Sequence, residues 1–129
     1  MSAVSPTLAA FLSEPLVAVI GTQRRDGRIA LTPVWFEYRE QRLWLNSFES
    51  AAWPRRVQRA GRATVLVIDP ADSLRTAHLD CELEAVHREG ARAHIDALAQ
   101  RYTGDSYRGP HQARLILVLR PTQISSAVG

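Results

Sequence analysis

Residues 16–48 read LVAVIGTQRRDGRIALTPVWFEYREQRLWLNSF, and this stretch decides the class of fold. Leu16 to Ile20 is an apolar run rich in valine and isoleucine, the composition of a buried strand. Arg25-Asp26-Gly27-Arg28 then supplies a tight turn, because Asp-Gly accepts the positive φ that hairpins demand. Ile29 to Tyr38 reads as a second strand. Pro33 lacks an N–H donor, which places that strand at an edge or a bulge. After Arg39-Glu40-Gln41, Leu43 and Leu45 alternate with Trp44 and Asn46, giving a third strand over Arg42 to Phe48. Three antiparallel strands in succession point to a sheet protein.

Outward from this core, Ser5-Pro6 has the form of a helix N-cap followed by proline at the first helical position, with Leu8, Phe11 and Leu12 at helical spacing. Between Phe48 and Ala63 the pattern is again helical. Pro54 is its expected first residue, since Trp53, preceding a proline, is biased to an extended backbone. Ala63 to Asp69 is a buried strand. Arg75 to Val86 is a long alternating one, with Ala77, Leu79, Cys81, Leu83 and Ala85 facing the core and Thr76, His78, Asp80, Glu82 and Glu84 facing water. Glu89 to Tyr102 has helical spacing, and Ala113 to Leu119 is a final strand. The expected fold is α+β, mainly antiparallel: a six-stranded, closed or partly closed barrel with three short helices.

The 129 residues are 46% hydrophobic and 22% charged, which suits a single domain over 1–129 and excludes collagen, long coiled coil and wholesale disorder. About two-thirds of the unfolded surface can be buried at this size, so no disulfide or metal is needed to staple the fold. With one cysteine, Cys81, and no signal peptide or membrane-length apolar run, the expected location is the cytoplasm. All 16 basic residues are arginine, against 13 acidic ones. The high pI reflects the absence of lysine more than a nucleic-acid surface. Arg55, Arg56, Arg59 and Arg62 form a basic face, yet no aromatic-interleaved basic stretch accompanies it, and no nucleic-acid partner is expected.

Three constellations could carry chemistry. A helix beginning at Pro54 would put Arg55 and Arg56 in its first turn, where the dipole disfavours cations. A phosphate held by free N–H groups, the Ser47 and Ser50 hydroxyls and these guanidiniums would relieve that, and solvation or pairing with Glu49 would serve as well. Thr32-Pro33-Val34-Trp35-Phe36 could leave main-chain groups off the ladder for a planar polar ligand, or be an edge strand with a packed Trp-Phe pair. His78, Asp80, Glu82 and Glu84 have only the spacing of a solvated strand face, so no metal is expected. No nucleophile elbow or Gly-rich phosphate loop is present, and no catalytic side chain is assigned.

Leu16 to Thr22, Asp26-Gly27-Arg28, Thr32 to Phe36, Asn46 to Arg62, Val65 to Pro70, Ala93 to Gly104 and Arg114 to Pro121 follow one another in a recognisable order. In that order the chain resembles the pyridoxamine 5′-phosphate oxidase-like superfamily, the FMN-binding split β-barrels, and especially its small members that use the deazaflavin coenzyme F-420. The resemblance implies a homodimer with FMN or F-420 in a groove between subunits, and hydride transfer to or from a small organic substrate. It implies that the coenzyme ring lies against Thr32, Pro33, Val34 and Trp35. The phosphate would lie near Asn46, Ser47, Ser50, Trp53, Arg55 and Arg56, and an acidic coenzyme tail near Arg59 and Arg62. The chemistry would belong to the coenzyme, with the protein supplying orientation and shape.

One departure matters. The family commonly carries an arginine and a lysine for the phosphate where this chain has Ala51 and Trp53. Charge-assisted contacts are worth roughly 1.5–3 kcal/mol each, so Arg55 or Arg56 would have to substitute. The alternative function is a redox-inactive split-barrel binding protein, its groove blocked by Trp53 or adapted to another planar ligand.

Overall fold

A computed structural model describes residues 4–128 of the chain. Along the sequence it contains α1 (Pro6–Leu12), β1 (Val17–Gln23), β2 (Ile29–Val34), β3 (Phe36–Arg39), β4 (Arg42–Phe48), α2 (Ala52–Ala60), β5 (Arg62–Asp69), β6 (Asp72–His87), α3 (Ala91–Thr103) and β7 (Arg114–Ala127). All strands pair antiparallel in one sheet of order β2-β1-β5-β6-β7-β4-β3.

The strand count is seven, not the expected six. The segment read as one strand, Ile29 to Tyr38, divides at Trp35: β2 pairs with β1, up to Ala18 opposite Val34, whereas β3 pairs with β4, from Phe36 opposite Leu45. Trp35 belongs to neither ladder. Because β2 and β3 are the two outermost strands yet are separated by one residue, the edges of the sheet must meet there, and the sheet curls into a half-open barrel. The proline signal was real: Pro33 lies on an edge strand, as its missing donor requires.

Alternation along the strands sorts the side chains. Ala18, Ile20, Leu43, Leu45, Val65, Val67, Leu79, Leu117 and Leu119 point into the barrel and are fully buried. Phe11 and Leu12 of α1, Phe36 of β3 and Val57 of α2 join the same core. Opposite-facing residues of β4 and β7 are covered by α3, with Ala91 against Ile116 and Val118. On β6, Ala77, Leu79 and Cys81 are buried as expected, and irregularities at Asp80/Cys81 and Leu83/Ala85 shift the register beyond them.

Helix ends follow local chemistry. Ser5 caps α1, its Oγ accepting from Leu8 N at 3.1 Å. The β1–β2 turn is closed by Gly27 at φ 89°, with Arg28 N donating to Asp26 Oδ1 at 3.0 Å. Helix α2 differs from expectation. It starts at Ala52, so Trp53 is helical and Pro54 is the third helical residue, a first-turn position where a missing N–H costs nothing. Arg55 and Arg56 therefore fall in the second turn, and the first-turn repulsion argued from sequence loses its premise.

Candidate functional site

The junction at Trp35 is held by a tyrosine. Tyr102, in the last turn of α3, donates its hydroxyl to Leu16 O at 2.6 Å and accepts from Phe36 N at 3.3 Å. One phenol thus bridges the start of β1 to the start of β3, where no ladder joins them. The Trp35 ring stacks on Tyr102, with centroids 5.2 Å apart and planes within 7°. Beside this stack opens a cavity of about 440 Å³. Pro33, Val34 and Trp35 form one wall, Asn46 and Trp53 another, and Ile95, Leu98 and Tyr107 a third. The size lies within the range of small-molecule sites, and the walls are mostly apolar with few polar groups, as such sites usually are.

Asn46 is fixed by its neighbours. Arg114 Nη1 donates to Asn46 Oδ1 at 2.9 Å, and arginine has no acceptor, so the Asn46 amide orientation is determined. Asn46 Nδ2 then donates to Ala91 O at 2.8 Å and to His94 Nδ1 at 3.1 Å. His94 must therefore carry its proton on Nε2, which faces Glu37 Oε1 at 3.4 Å. Burial pushes the His94 pKa down, opposed by Glu37 and aided by Arg39. A buried imidazole with a depressed pKa costs the fold nothing through its titration while it is neutral. As pH falls below the ordinary value of about 6.5, the unfolded chain takes up a proton that the folded chain refuses, and stability declines until the folded pKa is reached. The expected result is that His94→Gln flattens the dependence of urea midpoint on pH as pH falls below about 6.5. The single-proton limit on that slope is about 1.4 kcal/mol per pH unit.

The structure brings Pro33, Val34, Trp35, Asn46 and Trp53 together around the cavity. Thr32 lies opposite Ile20 in the ladder and does not line it. Ser47 faces away from Asn46, into the barrel, and is buried there. Ser50 and Arg55 line a separate hollow of about 260 Å³ with Glu49, Gln112 and Ala113, and Arg56 lines neither space. Trp53 is 7% exposed and packs in the core with one side on the cavity, so it walls the space without closing it. At the α2 start, Ala51 N bonds Phe48 O, and no side chain caps the helix. Sequence reasoning missed Tyr102, Tyr107, His94 and Arg114, whose meeting depends on how α3 and β7 lie across β4.

Other polar groups are engaged locally. Glu84 pairs with Arg42 at 2.8 Å, Glu82 with Arg120 at 3.3 Å, and Asp80 accepts from Thr64 Oγ1 at 2.9 Å. Among the described residues no cluster of three or more His, Cys, Asp or Glu is placed to hold a metal ion. The Cys81 thiol is buried and pushed up to about 12, which keeps it from acting as a nucleophile at neutral pH. No helix among the described residues is long and apolar enough to cross a membrane.

Comparison with known proteins accords with this architecture. A solved F-420 reductase superposes with a TM-score of 0.82 at 25% identity, over 90% of this chain and 94% of its own. A conserved hypothetical protein from Mycobacterium tuberculosis superposes at 0.75 with 18% identity, over 96% of this chain and 82% of its own. An FAD-binding protein from Mesorhizobium loti does so at 0.69 with 14% identity, over 93% and 91%. The last two show likeness of fold alone. No curated protein matches the chain. The pyridoxamine 5′-phosphate oxidase family matches over residues 4–127, nearly the whole sequence, and the chain belongs to that family.

Proposed function

We propose that the protein is a cytoplasmic, homodimeric oxidoreductase that holds a deazaflavin (F-420) or FMN coenzyme and transfers hydride to or from a small organic substrate. The observation that carries this reading is the cavity at the barrel's split, where Trp35 leaves both ladders. The residues present fit a planar ring: Trp35 is braced by Tyr102, Trp53 also lines the cavity, and the main chain at Pro33 and Val34 pairs with β1 on one side only, its outer edge having no strand partner. The coenzyme supplies the hydride chemistry when bound. This chain's residues hold and orient the ring and shape the access of substrate.

A second copy is supported by the outer face of β1 and β2. Val17, Ile29 and Leu31 are 49%, 59% and 72% exposed, and the exposed Pro33 continues the same face. Val17 and Pro33 also line the cavity, so a subunit seated on this face would wall it. F-420 is favoured over FMN by a hollow of about 320 Å³ near the far end of α2, lined by Arg24, Arg25, Arg59 and Arg62. An acidic coenzyme tail would find its charge there.

The test is a titration of the protein with F-420 and, separately, FMN, followed by absorbance and fluorescence, with the mass measured by light scattering. Micromolar or tighter binding to one of them by a dimer is the expected result, with F-420 affinity falling more steeply with salt than FMN affinity. Binding to neither would overturn the coenzyme reading and leave a redox-inactive binding protein of the same fold. Trp53→Lys separates the two readings: it creates affinity if Trp53 had replaced a needed cation, and changes it little if the site is already competent.

A further inference from the structure

Arg114 is the only arginine among the described residues whose side chain is buried, at 9% exposed. Its guanidinium lies between two aromatic rings, 4.1 Å from the Phe48 centroid and 4.4 Å from that of Tyr107. Among the described residues no ion pair joins it to a carboxylate. Acidic residues on neighbouring segments pair with other arginines: Glu49 with Arg88 at 2.6 Å, Asp96 with Arg92 at 3.7 Å and Glu37 with Arg39 at 3.8 Å. Only Nη1 is bonded, to Asn46. Nε is buried with no partner, and no hydrogen bond from Nη2 accompanies it.

A buried charge without a counter-charge is among the costlier arrangements in a protein. Stacking on two rings and one amide contact offset part of this. They do so through the faces and one corner of the guanidinium. The edge formed by Nε and Nη2, which pairs bidentately with carboxylates and phosphates, stays unmatched. The two groups that contact Arg114 on the cavity side, Asn46 and Tyr107, are themselves walls of the cavity. The charge therefore sits one side chain behind the cavity surface.

Phe48 belongs to β4, but Tyr107 lies in the irregular segment between α3 and β7, held by its N–H to Asp96 Oδ1 at 3.1 Å. Its ring rests directly over Gly109, where even a methyl group would overlap the phenol. Glycine at 109 is what allows Tyr107 to lie down over the arginine.

We propose that Arg114 is an oxyanion-binding residue, its Nε–Nη2 edge receiving a phosphate or carboxylate of a ligand lodged in the cavity when Tyr107 lifts from Gly109. This deepens the coenzyme reading by naming the cation that Ala51 and Trp53 do not provide, and it rests on that reading only where the oxyanion is the coenzyme's phosphate. The same edge would take a substrate carboxylate.

Four probes separate these sources: FMN, riboflavin (the same ring without phosphate), inorganic phosphate and benzoate. They are titrated against the wild type, Arg114→Met, Arg114→Lys and Gly109→Ala, reading flavin or tryptophan fluorescence. Circular dichroism confirms that each variant is folded. For a coenzyme phosphate, Arg114→Met weakens FMN by about tenfold or more and leaves riboflavin unchanged, with partial recovery in Arg114→Lys. For a substrate carboxylate, the affinities for FMN and for riboflavin are both unchanged and benzoate binding is lost. Gly109→Ala, which leaves Arg114 in place and unseats Tyr107, strengthens whichever oxyanion binds. Equal losses of FMN and riboflavin would mean that Arg114 only props Asn46, and would overturn the proposal. So would indifference of all four probes to Arg114. If neither flavin binds the wild type, the coenzyme reading fails by itself, and the phosphate and benzoate titrations still decide the role of Arg114.

Discussion

Phe36→Ala should lower the free energy of unfolding by about 3–5 kcal/mol. Phe36 is fully buried, and it is the first residue after the chain crosses from one sheet edge to the other. Its ring fills the barrel interior just where the sheet is not closed by main-chain hydrogen bonds. Removing it leaves a cavity that strand pairing cannot collapse, because Trp35 on one side and Leu45 opposite fix the backbone. A domain of this size has about 5–15 kcal/mol in total, so the variant would forfeit a large share. Urea unfolding monitored by circular dichroism measures it, with Leu74→Ala as a control, since Leu74 is 83% exposed and should change stability by under about 0.5 kcal/mol. A loss below about 1 kcal/mol for Phe36→Ala would mean that the segment after Trp35 is not packed as described.

The second large effect is expected from Tyr102→Phe. It removes one oxygen and keeps the ring that stacks on Trp35, so the indole environment should change little. The oxygen, however, donates to Leu16 O and accepts from Phe36 N, joining two main-chain segments that no ladder connects. Burial raises the Tyr102 pKa, and the phenol stays protonated and able to donate throughout the physiological range. Losing those two bonds should cost about 1–3 kcal/mol. Faster exchange of the Phe36 amide with deuterium, beyond what the global loss explains, would locate the damage at the split. Unchanged stability and unchanged exchange would show that the hydroxyl bridge holds nothing.

How far the sequence disclosed this structure can be followed residue by residue. Alternation at Leu43 to Asn46 and at Ala77 to Cys81 placed strands and their inner faces, because burial on one side of a pleat leaves a period of two. Asp26-Gly27 and Ser5-Pro6 marked a turn and a cap, because only certain residues satisfy those backbones. The break at Trp35 was invisible. Thr32 to Phe36 is as strand-like after the crossing as before it, and the change is one of partner, not of conformation. The α2 start was misplaced because the bias of a residue before proline is a preference that the packing of Trp53 in the core overrides. At the site, Pro33, Val34 and Trp35 were legible as a group since they are neighbours in sequence. Arg114 and His94 were not, since their meeting at Asn46 is set by the register of β4 against β7 and the seating of α3.

The strand order also has a consequence for biosynthesis. The β3–β4 hairpin is made early, yet it joins the rest of the sheet only through β7, with Leu43 opposite Leu119 and Asn46 opposite Ile116. On the other side β7 pairs with β6. The strand translated after the other six is thus the one inserted between two earlier groups. While the ribosome has not released residues 114–119, β4 and β6 each present an unpaired edge to the cell, and the nascent chain must be kept from pairing those edges with another copy.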